Sequence, residues 1–86
     1  MATSRFHVTR EFTKIASDNE EFLIQNPLTQ IVHITKVAAG ETPAADAAFY
    51  TLAHNEAMAR ALIGPGDVYV KATAPTTLIF DAWTEA

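Results

Sequence analysis

The chain has no cysteine, only three glycines, and six basic residues against ten acidic ones. Without cysteine, neither a disulfide framework nor a thiolate metal site can form, which fits synthesis in a reducing cytoplasm. With a formal net charge of −4, the chain lacks the basic face on which nucleic-acid binders gather phosphates. Arg5, Arg10 and Lys14 form a mildly basic N-terminal stripe, but Glu11, Asp18, Glu20 and Glu21 lie beside it, and a solvated strand face accounts for it. Long apolar runs are also missing: none approaches the ~20 residues of a membrane-spanning helix, and Met1 to His7 has no signal-peptide shape. The expectation is a soluble protein with neither nucleic acid nor membrane as partner.

Large apolar side chains are in short supply. Of the 49% of residues that are hydrophobic, sixteen are alanines, which leaves five Phe, two Tyr, one Trp and the Leu, Ile and Val set to build a core. Residues 1–86 suit one domain with a modest interior, and self-association is a natural supplement to its burial.

Catalytic spacings are absent as well. His7, His33 and His54 lie in separate segments, with no H-x-H pair of the kind that a cupin metal strand carries. Ser4 and Ser17, the two serines, lie outside any G-x-S-x-G elbow. Glu20 and Glu21 are adjacent and would face opposite sides of a strand, so they do not converge as an acid–base pair. Gly40, Gly64 and Gly66 do not form a phosphate loop. The chain is therefore expected to be no enzyme and to use no cofactor or metal.

What the chain does have is strand alternation and turns. Phe6, Val8 and Phe12 alternate with His7, Thr9, Glu11 and Thr13, and Arg10 interrupts the apolar side, so that an edge position or a partner is expected there. Phe22-Leu23-Ile24-Gln25 is an apolar strand stopped by Asn26-Pro27, because proline cannot donate to a ladder and pushes its predecessor extended. Ile31 to Thr35 is β-branched. Residues 44–63 are ambiguous, since alanine favours helix but the helical stripe would contain Glu56 and Arg60. A strand at Phe49 to Leu52, a turn at His54-Asn55-Glu56 and a second strand from Met58 to Ile63 fit better, with a short helical turn near residues 44–48. Gly64-Pro65-Gly66 reverses the chain. Val68, Val70 and Ala72 then alternate with Asp67, Tyr69 and Lys71, and Thr77 to Trp83 repeats the pattern as the second arm of a closing hairpin.

Turns near residues 18, 27, 42, 55, 65 and 75 give the regular spacing of an all-β domain, a small antiparallel β-sandwich or jelly-roll-like barrel. Tyr69 and Trp83 fall on the polar side of their strands. They are expected either as an exposed cross-strand pair that marks a contact surface, or as core beneath a second sheet.

The order of these features resembles that of small structural proteins of tailed bacteriophages. The resemblance rests on the N-terminal strand, on Phe22-Leu23-Ile24-Gln25-Asn26, on Ile31 to Thr35, and on Gly64-Pro65-Gly66-Asp67-Val68-Tyr69-Val70-Lys71-Ala72. The alanine-rich stretch from Ala44 to Ala61 departs from it. The resemblance implies a capsid decoration (cement) protein, made in the host bacterial cytoplasm and placed on the capsid surface of the virion. Its implied partners are the major capsid protein or another virion protein and further copies of itself, usually as a homotrimer. A fibre or spike component that binds a receptor or glycan is the alternative, and a degenerate cupin-like binder is a third reading. Residues 1–6 are expected to serve as an arm that reaches a neighbour. Arg5, Phe6, Arg10, Tyr69 and Trp83 are the expected contact residues.

Overall fold

The computed structural model describes residues 4–44 and 47–84, with the backbone alone for residues 82–84. Eight strands, β1 Ser4–Val8, β2 Thr13–Ala16, β3 Glu20–Gln25, β4 Val32–Val37, β5 Tyr50–Leu52, β6 Ala57–Ala59, β7 Asp67–Ala72 and β8 Thr76–Thr84, are joined by turns and one helical turn, α1 Arg60–Ile63. They form two antiparallel four-stranded sheets, in the orders β1-β8-β3-β6 and β2-β7-β4-β5. Eight strands in these two interleaved orders make the double Greek key of a jelly roll.

The expected alternation accounts for the core. From the first sheet Phe22, Ile24 and Leu78 point inward, and from the second Val32, Ile34, Val68 and Val70 meet them; all are fully buried. Phe6 and Phe80 close one side of this core edge-to-face, with ring centroids 5.4 Å apart.

Three sequence expectations need correction. The run from Arg5 to Thr13 is not one strand: β1 ends at Val8 and β2 begins at Thr13 in the opposite sheet. Arg10 breaks the alternation where the chain changes sheets, and the Glu11 N–H turns back onto the Thr9 hydroxyl at 3.3 Å. Nor do β7 and β8 form a hairpin, since they lie in different sheets. Each strand has one apolar side, and crossing at residues 73–75 lets both sides face the same core, which a hairpin in one sheet achieves only against another layer. Finally, the strand that follows the turn at Asn55 stops at Ala59, and the helical turn comes at Arg60–Ile63. The helical turn expected at residues 44–48 falls partly outside the described residues.

Candidate contact surface

At one end of the sandwich, polar side chains fix the turns. Arg60 is buried, and its guanidinium donates to the carbonyls of Glu20 (2.8 Å), Gly64 (2.9 Å), Gly66 (2.7 Å) and Ser17 (2.5 Å). The same group lies 5.1 Å from the centroid of Phe22. Beside it, the Asp67 carboxylate accepts from the N–H groups of Asp18 (2.8 Å) and Gly40 (3.0 Å) and pairs with Lys14 at 3.2 Å. The Gly40 bond, aided by Lys14 and the Asp18 N–H, holds the Asp67 carboxyl below its ordinary value although burial opposes the shift. Asp18 in turn accepts from the Gly66 N–H at 2.6 Å. Gly64 and Gly66 have φ of 86° and 125°, and a Cβ on Gly66 would lie 2.5 Å from the Val37 carbonyl oxygen. The Gly-Pro-Gly segment is thus a turn wired to its neighbours.

At the other end, fully buried Asn26 donates to the carbonyls of Gln30 (2.7 Å) and Leu52 (2.9 Å) and accepts from the Leu28 N–H at 3.2 Å. This holds the β3–β4 connection against the β5–β6 turn, and Leu28 and Ile31 stand exposed on it.

The outer face of the β2-β7-β4-β5 sheet is covered in part by the described residues of the long β4–β5 connection, 38–44 and 47–49. Tyr69 faces this way but is only 9% exposed, and its hydroxyl donates to the Glu41 carbonyl at 3.2 Å. The neighbouring Thr35 hydroxyl donates to the Ala48 carbonyl at 2.8 Å. A connection, rather than a second sheet, buries Tyr69.

Beyond that cover the same face opens into two clefts that meet at Arg10 and Lys71. One, of about 290 Å³, is lined by Arg10, His33, Phe49, Lys71, Ala72 and Thr73. The other, of about 300 Å³, is lined by Arg10, Glu11, Phe12, Pro43 and Lys71. His33 on β4 and Phe49, the residue before β5, form a parallel stack, with centroids 3.9 Å apart and planes 11° from parallel. Lys71 lies opposite His33 in register, with Nζ 4.4 Å from the centroid of Phe12 and 5.8 Å from that of Phe49. His33 Nδ1 is buried without a hydrogen-bond partner. Burial, then the Lys71 charge, push the imidazole pKa below its ordinary value and favour the neutral form.

The structure thus separates the sequence-derived contact residues. Arg5, exposed on the outer side of β1 opposite Ile79, and half-buried Phe6 belong to one edge of the sandwich. Arg10 follows on the exposed β1–β2 connection. Tyr69 is buried in the other sheet from Trp83, whose backbone pairs with Glu21 and whose side chain lies outside the described residues, so the two do not form a cross-strand pair. Ser4 to Phe6 are paired with Leu78 to Phe80, and Met1 to Thr3 lie outside the described residues. Phe12, His33, Phe49 and Lys71 are not marked as site residues by any sequence pattern; strand register sets His33 beside Lys71, and Phe12 and Phe49 reach them from the connections before β2 and β5.

Among the described residues, no group of three or more His, Asp or Glu could hold a metal ion, and no helix is long and apolar enough to cross a membrane. Comparison of the chain with protein families, curated proteins and solved structures finds no match.

Proposed function

We propose that this chain is a phage virion structural protein, a capsid-decorating module that binds the major capsid protein, braces the shell and associates with itself as a trimer. The observation that carries the reading is the jelly roll itself, held rigid by polar clasps at both ends, with β1 and the following connection presenting Arg5, Phe6 and Arg10 along one edge. Jelly rolls recur in viral capsids as modules that act through buried area, although the fold alone does not assign a role. Exposed Leu23, Leu28, Ile31, Tyr50 and Leu62 supply apolar surface for such contacts. A fibre or spike component is the second reading, favoured by exposed Phe49, which lines one of the clefts. Light scattering combined with co-sedimentation on phage shells tests the first reading. A trimer that pellets with shells to a saturating stoichiometry supports it; a monomer that stays in the supernatant overturns it. For the second, glycan binding on an array must fall in Phe49→Ala, and unchanged binding would remove the idea.

A further inference from the structure

We propose that the cleft at Arg10, His33, Phe49 and Lys71 is a carboxylate-binding site. Its ligand is a group of side-chain or single-ring size: the free carboxylate of a small acid, or a Glu or Asp side chain presented by a protein partner. The inference rests on the cleft and holds whether or not the protein decorates a capsid.

Size and shape come first. At about 290 Å³ the cleft lies at the lower limit of small-molecule sites, which fits one ring or one side chain. Its floor is the parallel stack of His33, from β4, on Phe49, the residue before β5. Exposed Phe49 offers an apolar wall for the body of a ligand.

Charge selects the head group. Arg10 is exposed at the junction of both clefts, and no ion pair to it is found among the described residues. Its guanidinium presents paired N–H donors in the fork that matches a carboxylate. Lys71 adds a second positive charge across the cleft, held over the rings of Phe12 and Phe49. The Thr73 hydroxyl on the rim accepts from the Gln30 amide at 2.8 Å, which leaves its O–H to donate beside the charged Arg10 anchor. The whole molecule carries a net charge of −4 and repels anions in general. Saturable anion binding would therefore belong to this cleft rather than to the overall field. Glu11 lines the adjoining cleft that Arg10 also lines, and its negative charge opposes an incoming carboxylate.

Two-dimensional ¹H–¹⁵N NMR titration of the full chain tests this, with sodium benzoate, sodium acetate, a blocked Gly-Glu-Gly peptide, and sodium chloride as control. The site predicts saturating shifts confined to Arg10, Phe12, His33, Phe49, Lys71 and Thr73. Arg10→Gln, an exposed change that the fold tolerates, weakens binding about tenfold through loss of a charge-assisted pair, and Glu11→Gln tightens it. Benzoate binding above acetate identifies a ring-bearing small acid, and preference for the peptide identifies a partner side chain; either supports the site. Shifts that do not saturate, that chloride reproduces, or that Arg10→Gln leaves unchanged overturn it. Shell binding that persists in Arg10→Gln after such a failure would remove the cleft and leave the capsid reading standing.

Discussion

Replacing Arg60 should cost more stability than any other single polar change at the clasped end. The residue is 7% exposed, and its guanidinium serves four backbone carbonyls, those of Ser17, Glu20, Gly64 and Gly66, while stacking on Phe22. Those carbonyls belong to the β2–β3 turn, the start of β3 and the reversal before β7, so one side chain joins segments more than 40 residues apart. Arg60→Ala strands these acceptors, each at about 1–3 kcal/mol where water cannot reach. Removing the charge also removes its own desolvation cost, and water will reach the partly exposed Ser17 and Glu20 carbonyls, which lowers the net loss to about 3–5 kcal/mol. Against a total stability of about 5–15 kcal/mol, that brings the protein near its unfolding threshold at 37 °C. Arg60→Lys offers three donors on a single nitrogen and cannot span the same four acceptors, so it should recover less than half of the loss. Urea unfolding followed by tryptophan fluorescence and far-UV circular dichroism measures both variants. A loss below about 0.5 kcal/mol for Arg60→Ala, at an unchanged m-value, would refute the reasoning that the guanidinium holds this end together.

Gly66→Ala forces a Cβ to 2.5 Å from the Val37 carbonyl oxygen at φ 125°; urea unfolding should show a loss of at least about 2 kcal/mol. Asn26→Ala removes the bonds to Gln30, Leu52 and Leu28 from a fully buried position, and the same assay should show a loss of about 2–4 kcal/mol. Because the Asp67 carboxyl lies below its ordinary 3.8 in the fold, its contribution is present above that value and fades as pH falls through the folded-state pKa. Asp67→Asn should therefore be less stable than the parent at pH 7 and show a shallower acid-induced loss, read from unfolding midpoints across the acid range. A parallel pH dependence in the two proteins would contradict that assignment.

The strands were legible in the sequence because period-two alternation is written locally: Phe22 and Ile24, or Val68 and Val70, announce their inward faces without reference to any partner. The turns at Asn26-Pro27, Asn55 and Gly64-Pro65-Gly66 were legible for the same reason. Sheet membership was not. In this jelly roll every pair of successive strands except β4 and β5 lies in opposite sheets, and nothing within residues 67–84 distinguishes a hairpin from a crossover. The choice between an exposed and a buried Tyr69 stays open in the sequence, since alternation places it opposite Val68 and Val70 but cannot reveal that the stretch holding Glu41 folds over it. Arg10 signals an edge or a partner in the sequence; its position is the corner between the sheets, and it lines both clefts. Arg60 and Asn26 bond to carbonyls scattered along the chain, a role that no local pattern encodes. The clefts were hidden for a similar reason, because His33 and Lys71 meet through strand register and Phe49 reaches them from the β4–β5 connection.

Hydrogen–deuterium exchange of the protein bound to phage shells, compared with the protein alone, tests most directly the claim that it works by contact along the β1 edge. The account predicts slowed exchange across Ser4 to Phe12, weakened together with shell binding in the Arg5→Glu/Arg10→Glu variant. Absence of binding, or protection that leaves Ser4 to Phe12 unchanged, would contradict it.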